Sequence, residues 1–203
     1  MERIIAVAVQ IVEEEGAEAL SMRSLAQRLG SGTATLYRHF GGRAALVAHV
    51  VDQMFAGVDP IPKDLAASGW EPACRAIART MFDTLSRHRR VARLLMEQVP
   101  LGPHAMALRE QCLAVLLGNG FSPRTAARAY ATLARYVLGF AVQLDDDPGR
   151  GEDTAAAVFG KVDPASFPAT ALVASSLPTP LEDEFAFGLD LLLAGLRESR
   201  ETR

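Results

Sequence analysis

Apolar residues along this chain recur at intervals of three and four, and alternation at period two is nearly absent, so the pattern predicts helices throughout. Near the start, Ile4, Ile5, Ala8, Ile11 and Val12 share one helical face, followed by Glu13-Glu14-Glu15 and a stop at Gly16. Ser21 is placed to cap a second short helix that carries Leu25, Ala26 and Leu29 and ends at Gly30. A third helix, from about Thr33 to Phe40, is broken by Gly41-Gly42 because glycine is the poorest helix former after proline. A fourth carries Leu46, Val47, Val50, Val51 and Met54.

Pro60 and Pro62 then punctuate the chain. Ser68-Gly-Trp-Glu71 has the capping-box pattern and opens a long helix through Ile77, Met81 and Leu85 to about His88. A short helix spanning Val91–Gln98 ends before Pro100, and another runs from about Pro103 to Leu117. Ser122-Pro123 combines a capping residue with a first-turn proline and starts a helix that continues to about Leu144. The acidic triplet Asp145-Asp146-Asp147 reads as a solvated helix end, and 145–178 as a long connection holding one or two short helices. Thr179-Pro-Leu-Glu182 is a second capping-box pattern, opening a last helix through Phe185, Leu189, Leu192 and Leu196.

Composition changes this picture little. With 203 residues, 49% of them hydrophobic and 22% charged, the chain is ordinary globular stock for one domain or two small ones. No apolar run approaches 18 residues and the first residues lack a basic, signal-like start, so neither a membrane span nor a secretory leader is expected. Cys74 and Cys112 lack metal-ligand spacing and read as buried thiols of a cytoplasmic protein. No metal and no cofactor is expected. The net charge of −3 excludes indiscriminate coating of nucleic acid by bulk positive charge.

The distribution of that charge is more informative than its sum. Residues 1–20 hold five carboxylates against one arginine, whereas 21–45 hold Arg23, Arg28, Arg38 and Arg43 with no acid. Two short helices around a Gly-Ser-Gly turn form the helix-turn-helix pattern, whose second helix enters the DNA major groove. That helix carries Thr33, Thr35, Tyr37, Arg38 and His39, with Leu36 and Phe40 on its core side. Hydroxyls and tyrosine position phosphates, and arginine can grip the O6 and N7 of guanine. Pattern and charge alone leave open a helical protein-interaction module without DNA binding, or an all-α enzyme. The enzyme reading lacks support, because no Gly-x-Ser-x-Gly, phosphate loop or Gly-x-Gly-x-x-Gly occurs.

Met22-Arg-Ser-Leu-Ala-Gln-Arg-Leu-Gly30, Thr35-Leu-Tyr-Arg-His-Phe40 and Arg43-Ala-Ala-Leu46 together resemble the N-terminal domain of the tetracycline-repressor (TetR) family of bacterial transcription regulators. Trp70, Tyr136-Val-Leu-Gly-Phe140 and Phe185-Ala-Phe-Gly-Leu-Asp-Leu-Leu-Leu-Ala-Gly-Leu196 resemble its C-terminal domain more loosely. The resemblance implies an all-α fold: a three-helix helix-turn-helix domain over 1–48 and a larger helical ligand-sensing and dimerisation domain over 49–203. Arg23 would then reach a base or phosphate, Thr33, Ala34 and Thr35 would face base edges, and Tyr37, Arg38 and His39 would contact bases or backbone. Arg43 stands where the family usually has a phosphate-binding lysine. Ser31, Gly32 and Gly42 depart from the family pattern, the last two by replacing residues that usually cap the third and fourth helices.

Two helices are apolar around much of their circumference, which requires burial on two sides. Leu133 and Val137 on one, and Phe185, Leu189, Leu192 and Leu196 on the other, are the expected contacts of a homodimer, whose four-helix interface the resemblance also implies. Met81, Phe82, Met96, Tyr136 and Phe140 are candidates to line an apolar pocket, with His88 and His104 as its polar handles. The partners expected are a double-stranded operator, a second copy of the chain and a small apolar or amphipathic effector, with no membrane.

Overall fold

The computed structural model describes residues 1–96, 99–144 and 148–201; the acidic triplet at 145–147 and the end of the predicted helix at Gln98 lie outside them. Every regular element among the described residues is helical. The chain divides into two units, Met1–Val142 and Gln143–Arg203.

The first unit begins with α1 (Glu2–Glu15), α2 (Met22–Arg28), α3 (Thr33–His39) and α4 (Arg43–Met54), each within a residue or two of where the apolar periodicity put it. Ile5, Ala8, Ile11 and Val12 of α1 are buried together with Leu20, Leu25, Leu36, Phe40, Leu46, Val47 and Val50. Helices α5 (Lys63–Ala67), α6 (Trp70–Arg87), α7 (Arg89–Ala92), α8 (Pro103–Gly118) and α9 (Pro123–Ala141) complete the unit. Helices α6, α8 and α9 pack on one another in pairs, while α4 touches both α7 and α8. Trp70 at the start of α6 meets Phe121 edge-on, ring centroids 5.1 Å apart. The proline-punctuated stretch before α5 is pinned where the Ile61 amide donates to Oε1 of Gln111 on α8, at 3.0 Å.

Two predicted caps are displaced. Ser68 donates to the Leu65 carbonyl at 2.7 Å and so closes α5, and the residue before α6 is Gly69 at φ 120°, a conformation a side chain would strain. Thr179 lies one residue too early, since the Glu184 amide donates to the Pro180 carbonyl and the last helix starts at Leu181. The Ser122 cap stands where it was predicted, its Oγ accepting from the Thr125 amide at 3.2 Å. Cys74 and Cys112 are both buried and unbridged. The Cys112 side chain as hydrogen-bond partner, and then burial, push the Cys74 thiol well above its usual range.

The second unit holds α10 (Pro148–Phe159), α11 (Pro168–Val173) and α12 (Leu181–Glu201). Asp163 organises the turn between α10 and α11. Its carboxylate accepts from the Ser166 hydroxyl at 2.6 Å and from the Ala165 and Ser166 amides, which lowers its pKa. Helix α12 buries Phe185, Leu189 and Leu193 and leaves Phe187 and Leu191 on its other side 65% and 59% exposed.

One contact fixes α4 against α8. Asp52, near the end of α4, is only 7% exposed. Its Oδ1 accepts from the Ala105 amide at 2.9 Å and its Oδ2 from the His104 amide at 3.4 Å, the first two amide donors of α8, since Pro103 has none. These are the orphan donors that a capping side chain normally takes, but the residue in the cap position is Gly102. A carboxylate from another helix caps α8 instead, where the helix dipole also favours negative charge. A Cβ built on Gly102 would lie 2.2 Å from Asp52 Cγ and 2.6 Å from its Cβ, so the cap and the glycine require each other. Gly102→Ala is expected to lower unfolding stability by about 1–3 kcal/mol and Asp52→Ala by about 1–3 kcal/mol. In denaturant titrations the double variant should cost clearly less than the two together, because the closest contacts, at Cγ and Oδ1, go with the carboxylate and only the Cβ contact remains. Strict additivity would disprove the coupling.

Candidate nucleic-acid interface and ligand cavity

Helix α2 is set at both ends. Ser21 Oγ accepts from the Ser24 amide and Ser24 Oγ from the Ser21 amide, both at 3.0 Å, a capping box built from two serines. At the other end Gly30, at φ 63°, donates to the Gln27 carbonyl, and Ser31 donates to the Ala26 carbonyl at 2.9 Å. This pair of bonds is a Schellman closure, and its left-handed position suits glycine. The chain leaves α2 in a fixed direction and enters α3 two residues later. The glycines at 32 and 42 leave α3 and α4 without side-chain caps.

Leu36 and Phe40 root α3 in the core, and the Phe40 ring meets the His49 ring of α4 edge-on at 5.3 Å. The opposite face is open. Thr33, Ala34, Tyr37, Arg38 and His39 are exposed, Tyr37 at 57%, and Thr35 is half-buried. Thr35 Oγ1 lies 3.4 Å from an Arg38 Nη, so the guanidinium is held back along the helix surface. Arg23 is exposed near the start of α2. All eight residues expected to meet DNA therefore lie in α2, α3 or the first turn of α4.

The four arginines do not, however, form one basic face. Arg28 pairs with Glu14 at 2.8 Å and also with Glu15, both on α1. The hydrogen bond and charge of Glu14, with a lesser share from Glu15, raise its pKa further. Arg43 Nε donates to the Leu20 carbonyl at 2.9 Å, tying the start of α4 to the segment before α2. The sequence-level surplus of four positive charges is thus partly spent inside the domain. Arg23 and Arg38 are left as its outward cations, with Arg43 anchored beside them.

The same stretch of α1 reaches the rest of the unit. Glu13 Oε1 lies 3.0 Å from His88 Nδ1, and Arg90 Nη1 donates to the Glu13 and Glu14 carbonyls at 2.8 and 3.0 Å. His88, expected as a polar handle of the pocket, is instead part of this clasp between α1 and α7.

A cavity of about 530 Å³ opens among α6, α8, α9, Phe55 at the end of α4, and Leu95, Met96, Val99 and Pro100. Of the predicted pocket residues, Met81 and Met96 line it. Phe82 is core at 1% exposure, and His104 is exposed, with its amide occupied by Asp52. Tyr136 and Phe140 pair with each other at 4.9 Å, off this lining. On α9 the lining comes from Tyr130, Ala131, Ala134, Arg135, Leu138 and Gly139. Tyr136 and Phe140 each follow a lining residue by two, about 200° around the helix. The reading of the sequence missed Arg109, Tyr130 and Arg135. A tyrosine and an arginine set among alanines on one face of α9 were the available signal.

The residues expected at the dimer contact differ in exposure. Leu133, Val137, Phe185 and Leu189 are buried within the single chain, and Leu192 and Leu196 are half-buried. A side chain already covered within one chain offers no surface to a second. The outward apolar residues of α12 are Phe187 and Leu191, at i and i+4.

Comparison with known proteins agrees with this architecture. Residues 4–50 match the family described as bacterial regulatory proteins, tetR family, and residues 61–200 match the tetracyclin repressor-like C-terminal domain. The HTH-type transcriptional repressor DrrR1 of Streptomyces coeruleorubidus is 30% identical, over 97% of this chain and 76% of its own length. The tetracycline repressor protein class D of Escherichia coli is 26% identical over 96% of this chain and 87% of its own. The TetR family protein ActR of Streptomyces coelicolor, solved in complex with (S)-DNPA, superposes with a TM-score of 0.85 at 30% identity, covering 98% of this chain and 96% of that one. With an open α3 following a helix capped at both ends, the chain belongs to the TetR family of ligand-responsive, DNA-binding transcriptional regulators, which are not enzymes.

Proposed function

We propose that the protein is a homodimeric cytoplasmic repressor that holds a palindromic operator and releases it when a small apolar or amphipathic effector enters the cavity. Residues 1–48 do the reading, and 49–203 do the sensing and dimerisation. The observation that carries this reading is α4. It starts at Arg43 beside α3, and its last turn holds Asp52, which caps α8, followed directly by Phe55, which lines the cavity. A ligand that shifts Phe55 or α8 therefore acts on the helix that carries the reading head, as a shift between two arrangements requires. ActR, crystallised with (S)-DNPA and with actinorhodin, supports an effector of this general kind.

On DNA, Arg23, Thr33, Ala34, Thr35, Tyr37, Arg38 and His39 make the contacts, and Arg43 adds a phosphate contact from its anchored position. Tyr37→Ala and Arg38→Ala should each weaken binding to the intergenic DNA beside the protein's own gene by about 1–3 kcal/mol, roughly five- to 150-fold. Arg28→Ala, whose guanidinium is occupied by Glu14 and Glu15, should leave the mobility shift within a few-fold of the parent. Loss of binding in Arg28→Ala, with Arg38→Ala unaffected, would reverse the assignment.

Two heads must be spaced by roughly one helical turn of DNA, about 34 Å, to read a palindrome. The exposed Phe187 and Leu191 of α12 supply the unspent apolar surface for pairing. Light scattering at micromolar concentration should report about 44 kDa, twice the 21.8 kDa of one chain. Phe187→Asp with Leu191→Asp should shift that mass toward the single chain. A mass near 22 kDa for the unaltered protein would sink the dimer.

A further inference from the structure

Among the described residues that line the cavity, charge is of one sign only: twelve of these fourteen are uncharged and the other two are Arg109 and Arg135. Arg109 is half-buried, and a ligand that displaces its water must offer an anion in exchange, because desolvating a guanidinium is costly unless an anion compensates it.

Arg109 is also aimed. Its Nε donates to the Tyr130 hydroxyl at 3.2 Å, and one Nη donates to the Pro100 carbonyl at 3.1 Å. The guanidinium carbon lies 5.4 Å from the centre of the Tyr130 ring, and the other Nη rests on the Met106 sulfur, a weak acceptor. All these partners are neutral, so they fix the direction of the fork without satisfying its charge. A guanidinium has five donors in a planar arrangement suited to a two-oxygen anion. Arg135 is exposed, one turn after Ala131 on α9, and its Nη1 meets that residue's carbonyl, at 3.4 Å. Around these cations Phe55, Met81, Leu85, Leu95, Met96 and Leu138 form an apolar wall with room for a fused-ring molecule.

We infer that the effector is an amphipathic anion, an apolar ring system bearing a carboxylate, sulfonate or ionised phenol, whose charged group is received by Arg109 with Tyr130 while Arg135 attracts it at the mouth. This rests on the sensing function proposed above and narrows its ligand to one charge class. Arg109 sits on α8, the helix that Asp52 caps, so neutralising it places the new contact on the element that holds α4.

The test uses two dyes with one framework on the full-length protein: 1-anilinonaphthalene-8-sulfonate and the uncharged N-phenyl-1-naphthylamine. The sulfonate should bind at least about tenfold more tightly than its neutral relative, as expected for one charge-assisted contact in a partly dry site. Arg109→Met should abolish that preference and leave the neutral dye within about twofold. Arg109→Lys should keep part of it. Ala134→Trp, which fills the cavity, should remove binding of both, with circular dichroism melts confirming that each variant folds. Equal affinity of the two dyes for the unaltered protein overturns the charge inference while leaving an apolar sensor intact. Failure of both dyes to bind overturns the sensing reading as well. A sulfonate preference that survives Arg109→Met, or sulfonate binding that survives Ala134→Trp, overturns the assignment to this cavity.

Discussion

The carboxylate of Asp52, buried against the first amides of α8, is the contact on which the first unit's arrangement turns. A helix start buried without a cap would leave donors unsatisfied, at a cost comparable to several ordinary side-chain contacts. Here the cap comes from the helix that also carries the reading head, and Gly102 is bare so that the carboxylate can reach. One hydrogen-bonded cluster therefore solves a local problem of α8 and sets the position of α4. The cavity lies beside it, with Phe55 on one wall and Arg109 on another.

Around the head, charge serves structure before it serves recognition. Arg28 closes on Glu14 and Glu15, Arg90 caps the end of α1, His88 takes Glu13, and Arg43 ties the start of α4 to Leu20. The acidic run after the first apolar stripe is thus a fastening point for α2 and α7. An acidic chain can still present Arg23 and Arg38 outward, and a head with few cations makes few phosphate contacts. Such binding depends on two correctly spaced heads rather than on bulk attraction, and its salt slope is set by those few contacts.

Much of this was legible from residue order. The periodicity located α1 to α4 closely because each buries a single stripe, and Gly16, Gly30 and the Gly41-Gly42 pair mark their ends through backbone freedom. Ser122-Pro123 located α9 for the same local reason. Capping patterns failed where two elements competed for one residue: Ser68 closes α5 rather than opening α6. The helix α5 itself is five residues with no buried side chain, so it left no stripe to detect.

The sequence by itself determined the helical class, the helix-turn-helix and the outward residues of α3, because these follow from period, glycine placement and capping within a few residues. The tertiary structure alone decided which charges are free, which apolar residues are spent and where the cavity lies. Arg28 and Arg38 look alike in the sequence, yet one meets carboxylates thirteen and fourteen residues back and the other does not. Leu189 and Leu191 are the same residue two positions apart, a rotation of about 200° that buries one and exposes the other. Arg109 and Tyr130 meet only because α8 and α9 pack side by side. Local order fixes what each helix can bury, and only packing fixes what it does bury.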